Sequence, residues 1–129
     1  MLICACSCMA ADTATSKLRP ISTLFRALGD ETRLRIVALL THGELCVCHI
    51  EAALELSQPN ASRHVGLLRT AGIVEPRRER NWVYYRLAPQ EDPERRQILK
   101  LLMTSFTAAE TFKAAADRAK RATGPNPCG

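Results

Sequence analysis

The alternation of apolar and polar residues predicts a series of short helices in the first half of the chain. From about residue 16 to 28, apolar side chains recur at spacings of three and four, the period of an amphipathic helix. A second helix follows Asp30, which can cap its first turn, and ends near His42 and Gly43. A third is predicted from about Leu45 to Leu54.

A fourth helix is predicted to begin after Ser57, a residue whose hydroxyl can cap the first turn. Pro59 is tolerated there because the first turn lacks intrahelical partners for its backbone N–H groups. Gly72 closes the helix. Its predicted buried stripe consists of Ala61, Val65 and Leu68.

The pattern changes after this helix. Residues 73–74 and 82–87 are rich in β-branched and aromatic side chains, and the polar residues 77–81 lie between them, which predicts a hairpin with a basic tip. One long helix is then expected from about Pro93 to Ala122. Its apolar face is too large for a small domain to cover, so a second copy should cover it. That face contains Ile98, Leu102, Phe106, Ala109, Phe112 and Ala116.

This order of elements is that of a winged helix-turn-helix, a mainly α fold with a β-hairpin, and the apolar face predicts a homodimer. We expect one domain over residues 16–122. Residues 1–15 are predicted to be a flexible, cysteine-containing arm and residues 123–129 a flexible tail.

The charge distribution points to a polyanionic partner. The 129 residues include 18 Lys and Arg against 13 Asp and Glu, a formal charge of +5 and a pI near 9.1. Residues 57–90 contain six arginines and two glutamates, so they carry most of that excess. Such a concentration is typical of a nucleic-acid surface.

In a winged helix-turn-helix, the second helix of the pair enters the major groove of double-stranded DNA, where base edges carry a readable code. Residues in its first two turns reach the bases, and the hairpin tip lies along phosphates or in the minor groove. For His64 a packing or phosphate-contact role is expected. The candidate DNA-binding residues are Gln58, Asn60, Ser62, Arg63, His64, Arg69, Arg78 and Arg80.

Two of the six cysteines, Cys46 and Cys48, lie one residue apart just ahead of the predicted recognition helix. Thiolates bind thiophilic ions better than oxygen ligands do, so this placement suits a sensor. On an ideal helix these two side chains would point about 200° apart, so closing a chelate should distort the first turn. The neighbouring His49 is expected on the helix surface. The other candidate ligands are Cys4, Cys6 and Cys8, whereas Cys128 is expected to be idle.

The first eleven residues lack the charged segment of a secretory signal, and no run approaches the length of a membrane span. We therefore expect a reduced, cytoplasmic protein with no membrane partner, in which the thiols are available to an ion. A CxC pair is neither the CxxC redox motif nor a nucleophile–base arrangement, so no enzyme activity is expected.

Four motifs in this order resemble the ArsR/SmtB family of metal-responsive repressors. They are Ala27–Ile36 (ALGDETRLRI), Glu44–Cys48 (ELCVC), Ser57–Val65 (SQPNASRHV) and Trp82–Leu87 (WVYYRL). The resemblance covers about residues 18–90. It implies a homodimeric winged-helix repressor that pairs through its first and last helices and leaves its operator when a thiophilic ion binds.

By motif, the arsenic sensors and the cadmium/lead sensors are most similar. One type of arsenic sensor has a third cysteine where this chain has Glu51, whereas in other members N-terminal cysteines complete the site, often from the second subunit. The last helix contains no histidine, which argues against the family's zinc-type site. The resemblance favours As(III) or Sb(III) as inducer, with Cd(II) or Pb(II), or a thiol-redox response, as alternatives.

Overall fold

The structure, a computed structural model, describes residues 17–107 and 109–123. Within these ranges the chain forms six helices and three strands. The helices are α1 (residues 17–28), α2 (Glu31–Leu40), α3 (Val47–Leu54), α4 (Gln58–Thr70), α5 (Pro93–Thr107) and α6 (Glu110–Thr123). The strands are β1 (Leu45–Cys46), β2 (Val74–Glu79) and β3 (Trp82–Leu87). None of these helices is both long and apolar enough to cross a bilayer.

The two predicted caps are confirmed. The carboxylate of Asp30 accepts a hydrogen bond from the backbone N–H of Arg33 at 3.1 Å, which satisfies one of the free donors at the start of α2. The hydroxyl of Ser57 does the same for Asn60 at 3.4 Å at the start of α4. Both helices therefore begin where the sequence places them.

The hairpin is confirmed, and it belongs to a larger sheet. Strands β2 and β3 pair in an antiparallel register from Val74 opposite Leu87 to Glu79 opposite Trp82, leaving Arg80 and Asn81 as the turn. Strand β1 pairs with the other edge of β3, so the strand order is β1-β3-β2. A sheet of three strands gives the hairpin a stable base that two strands alone would lack.

The prediction of a helix beginning at about Leu45 is wrong at its start. Leu45 and Cys46 form β1 by pairing with Tyr85 and Tyr84, and α3 begins only at Val47. The backbone of Cys46 is extended, with φ −83° and ψ 167°. The pairing with β3 supplies backbone partners that a local pattern cannot reveal.

The prediction of a single long C-terminal helix is also wrong, because the chain turns between α5 and α6. The backbone N–H of Ala109 donates to the carbonyl of Phe106 at 3.0 Å, and that of Phe112 to the carbonyl of Ala109 at 3.2 Å. The rings of Phe106 and Phe112 meet edge to face with centroids 6.2 Å apart. The apolar stripe continues across the turn, and its neighbourhood contains no Gly or Pro to signal the break.

Helix α6 folds back onto α3 and completes the core of the protomer. Its Ala116 and Ala119 are only 2% and 3% exposed, and these small side chains let α6 approach α3 closely. Ala116, which was predicted to face a second copy, is thus buried in the protomer's own core, and Ile98, Leu102, Phe106 and Phe112 pack against that core. The core also takes in the three stripe residues of α4, as predicted. Its fully buried large side chains are Leu24, Ile36, Val37, Leu39, Leu45, Ile50, Val65, Leu68 and Ile73.

Candidate nucleic-acid interface and thiol site

Helix α4 presents one polar face to solvent. Because Ala61, Val65 and Leu68 anchor the opposite face in the core, the remaining positions must point outward. The exposed side chains include five of the predicted DNA-binding residues: Gln58, Asn60, Ser62, Arg63 and Arg69. Amide and guanidinium groups on one exposed face provide the donors and acceptors that base edges can pair with.

His64, the remaining candidate on α4, lies against the start of α2. Its side chain is only 12% exposed, and its Nδ1 atom is 3.3 Å from a guanidinium nitrogen of Arg33 and 3.9 Å from the carboxylate of Asp30. Arg33 also donates from Nε to the carbonyl of Ala27 at 2.5 Å. His64 thus ties the recognition helix to α2, in keeping with the packing role expected of it.

The same cluster stabilises the ionised form of Asp30. The backbone N–H of Arg33 donates to this carboxylate, and the charge of the Arg33 guanidinium adds a favourable field, so the pKa of Asp30 is lowered. A carboxylate at a helix N-terminus also interacts well with the helix dipole.

The arginines of the hairpin fall into two groups. Arg78 and Arg80 are exposed, and within the described part of the chain neither belongs to an ion pair. Arg77 and Arg86 instead bind carboxylates of the protein itself, on Glu44, Glu75 and Glu79. Only the first pair is therefore available to phosphates in this conformation.

The tip of the hairpin requires an unusual backbone at Arg80, whose φ of 57° lies in the left-handed region. This conformation lets a two-residue turn connect β2 to β3 with matching twist. The exposed Arg80 is consequently held at the end of the hairpin.

Cys46 lies at the junction between β1 and α3, where it is the N-cap residue and is only 2% exposed. Cys48 is half-buried in the first turn of α3 and is disulfide-bonded in the structure. Since Cys46 is outside the helix, the 200° argument from ideal helix geometry does not apply to the pair. A chelate would instead rearrange the strand–helix junction.

His49 is buried, with 3% of its surface exposed, which contradicts the expected surface position. Its Nδ1 atom accepts a hydrogen bond from the backbone N–H of Cys46 at 3.3 Å and lies 3.3 Å from the sulfur of Cys46. The signal that could have found it is the cap-to-N3 spacing from Cys46, in which the N3 side chain reaches back to the cap. His49 therefore fixes the position of the Cys46 thiol.

The other predicted ligands, Cys4, Cys6 and Cys8, lie outside the described residues, as does Cys128. Over residues 17–107 and 109–123, no group of three or more His, Cys, Asp and Glu side chains is arranged to hold a metal ion. The described residues thus contribute the thiol of Cys46 and, once its disulfide is reduced, that of Cys48. Their chemistry fits a thiophilic ion, and further donors must come from elsewhere.

Comparison with known proteins places this geometry in a family. The model for bacterial regulatory proteins of the arsR family matches residues 30–75, from the cap of α2 into β2. An uncharacterised HTH-type transcriptional regulator of Methanocaldococcus jannaschii is 39% identical over 87 residues, which cover 67% of this chain and 94% of that protein. The chain belongs to the ArsR family.

Two further relatives of this ArsR-family chain have names that refer to resistance. The arsenical resistance operon repressor of Escherichia coli is 55% identical over 75 residues, covering 57% of this chain and 63% of that protein. A cadmium resistance regulatory protein CadC homolog of Staphylococcus aureus is 40% identical over 77 residues, covering 59% and 64%. The chain thus spans less than two thirds of the length of either.

Solved structures confirm the winged helix-turn-helix. The transcriptional repressor BigR of Xylella fastidiosa superposes with a TM-score of 0.63 at 31% identity, covering 76% of this chain and 94% of BigR. A homodimeric winged helix-turn-helix domain from Mycobacterium bovis gives a TM-score of 0.63 at 30% identity, covering 73% and 84%.

Proposed function

We propose that this protein is a transcriptional repressor that binds operator DNA as a homodimer and is released by a thiophilic ion. The observation that carries the proposal is that α3, with Cys46 at its cap and Cys48 in its first turn, packs directly on α4, whose outer face is polar and exposed. A rearrangement at the thiols therefore has a short path to the recognition helix.

The chemistry of α4 and of the hairpin supports the DNA-binding part. Gln58 and Asn60 can each bond an adenine edge, and Arg63 can bond a guanine edge with two parallel hydrogen bonds. Arg78 and Arg80 are the exposed cations that would contact phosphates or the minor groove. Base contacts would set the sequence preference, while the hairpin contacts would add affinity for DNA in general.

Exposed apolar side chains support the homodimer. Leu18 and Phe25, one heptad apart on α1, are 60% and 55% exposed, and Leu101 on α5 is 70% exposed. Apolar side chains in this number on two helices favour burial against another surface, and a second copy supplies one by symmetry. The homodimeric neighbour from Mycobacterium bovis supports the same assembly.

Arsenite or antimonite is the inducer we favour. Cys46 and Cys48 supply two sulfurs, and a third from Cys4, Cys6 or Cys8, in the same or the other subunit, would give the three-sulfur set that these ions prefer. The similarity to the arsenical resistance operon repressor supports this choice. Cadmium or lead is the alternative, supported by the similarity to the cadmium resistance regulator.

The test is a binding titration of the full chain on its operator in the presence of a strong reductant, which keeps Cys48 as a thiol. Arsenite should release the DNA at a lower concentration than cadmium or lead, and sedimentation of the free protein should give the mass of two chains. An operator affinity that none of these ions changes would contradict the proposal. Release by an oxidant alone would support the redox-responsive alternative.

A further inference from the structure

The carboxylate of Glu44, immediately before β1, holds two arginines of the hairpin. Arg77 of β2 donates from Nε to both carboxylate oxygens at 2.8 Å, and its terminal nitrogen is also 2.8 Å from Oε2. Arg86 of β3 lies 3.7 Å from the other oxygen. The side chain of Glu44 is only 29% exposed, so these contacts are partly shielded from solvent.

The backbone next to Glu44 is bonded to the same hairpin. Leu45 pairs with Tyr85, and Cys46 pairs with Tyr84. The guanidinium of Arg77 in turn stacks over the ring of Tyr84, 5.1 Å from the ring centroid. Side-chain and backbone contacts therefore link residues 44–46 to both strands of the hairpin.

The contact at β1 is short and therefore easily disturbed. Two residue pairs hold β1 to β3, whereas six hold β2 to β3. The sulfur of Cys46 is buried beside His49, so this residue must shift before an ion can reach it. A shift at Cys46 acts on Glu44, two residues earlier, and on the pairing with Tyr84 before it acts on the rest of the sheet.

We propose that Glu44 is a positioning residue that couples ion binding at Cys46 to the orientation of the hairpin. With the ion absent, Glu44 holds Arg77 and Arg86 and keeps the hairpin in its DNA-binding position. When Cys46 moves to bind the ion, this contact opens and the hairpin leaves that position. The inference rests on the proposed function, and it adds a route to DNA that runs through the sheet instead of through the packing of α3 on α4.

Glu44→Gln tests the route, since it keeps the shape of the side chain and removes the charge that both arginines bind. The quantity measured is the ratio of operator affinities without and with arsenite, in reductant. For a coupling of ordinary size the wild-type ratio is about 5- to 150-fold. Glu44→Gln should bring the ratio to less than about three-fold, chiefly by weakening operator binding in the absence of the ion. Its affinity for arsenite without DNA should be no lower than that of wild type, because the thiols are intact and the contact that must open is already lost.

Glu79→Gln is the matched control. Glu79 also pairs with Arg77, at 3.2 Å. Like Glu44→Gln, this variant removes one negative charge that pairs with Arg77. Glu79 lies within the hairpin, and among the described residues no ion pair joins it directly to residues 44–46, so this variant should keep the wild-type ratio. A Glu44→Gln ratio equal to that of wild type would overturn the proposal, as would an equal loss in both variants.

A second measurement does not depend on the ion or on DNA. Hydrogen exchange of the ion-free protein should be faster at Leu45, Cys46 and the facing part of β3 in Glu44→Gln, but not in Glu79→Gln. Unchanged exchange at these amides would overturn the role of Glu44. A wild-type protein that responds to no ion would instead contradict the proposed function, so the two failures can be distinguished. If Glu44→Gln does not fold, Arg77→Lys replaces it, because lysine keeps the charge but loses the bidentate contact. The same changes in the affinity ratio and in hydrogen exchange are expected for this variant.

Discussion

The recognition helix and the thiol segment of residues 44–49 lie against each other, but different parts of the chain determine their structures. Helix α4 is determined locally: Ser57 caps it, and Ala61, Val65 and Leu68 form its buried stripe. Residues 44–49 are determined by distant partners. Cys46 is in a strand because Tyr84 pairs with it, and Glu44 is fixed by Arg77.

This difference bears on how each region could work. A locally determined helix keeps its exposed side chains in the same arrangement even when the whole helix shifts, which is what sequence-specific recognition requires. A segment held by the hairpin, by α3 and by the buried His49 cannot change without changing those contacts. A change at the thiols would therefore disturb several distant contacts, whereas the arrangement of the proposed DNA-binding side chains on α4 depends mainly on α4 itself.

The largest expected effect comes from a substitution in the thiol segment that should abolish the response to the ion without changing DNA binding. Cys48→Ser should abolish release by arsenite, a loss of the entire coupling of about 5- to 150-fold, while operator affinity without the ion stays near wild type. The reason is that Cys48 would bind the ion but lies on α3, away from the exposed face of α4. Titrations of operator binding with arsenite would measure both quantities.

Cys128→Ser controls for the loss of one thiol and should respond like wild type. A Cys48→Ser protein that arsenite still releases would remove this thiol from the sensing site. The DNA-binding assignments to α4 and to the hairpin would be unaffected by that result.

The second-largest effect is expected in the DNA-binding residues, where a substitution should change operator binding and leave ion binding intact. Arg63→Ala should cost about 1–3 kcal/mol of specific operator binding and relax the sequence preference at one position, while arsenite affinity without DNA is unchanged. Arg80→Ala, which removes a hairpin cation, should instead weaken binding to every sequence and reduce the salt dependence by about one unit of slope. Salt titrations on operator and on unrelated DNA would distinguish the two. An Arg63→Ala variant that loses affinity equally for both DNAs would contradict base recognition by this residue.

The sequence predicted the fold and the polar face of α4 because caps, periodic stripes and turn residues act over a few positions. It failed where partners are remote. The two-residue strand at Leu45 and Cys46 has no period of its own, and His49 is buried because α3 begins at Val47 and turns its ring toward Cys46. The turn between α5 and α6 escaped detection because the apolar spacing continues across it.

The thiol site is harder to predict than the reading face for the same reason. The CxC motif identifies two sulfur donors, but the shape of the site depends on the strand pairing of Cys46. The remaining donors proposed from the sequence, Cys4, Cys6 and Cys8, lie outside the described residues. The sequence therefore predicts which donor atoms a thiophilic ion would bind, but not how those atoms are arranged in space.

The smallest expected effect concerns the start of α2, on which the recognition helix rests through His64. The pKa of Asp30 is lowered mainly by the hydrogen bond from the backbone N–H of Arg33, so the folded protein prefers this carboxylate ionised. Its contribution to the free energy of unfolding is therefore present above the unfolded pKa, near 4. It is lost as the pH falls through the lower pKa of the folded state.

Asp30→Asn isolates this contribution, because Asn caps helices about as well as Asp and only the charge is removed. The variant should be slightly less stable than wild type at pH 7, and the difference should shrink toward zero as the pH falls below 4. Urea unfolding of both proteins between pH 7 and pH 2.5 would measure it. Equal stability of the two proteins at every pH would mean that the cap acts through its hydrogen bond alone, and the Arg33–His64 cluster would then stabilise the start of α2 without help from the charge of Asp30.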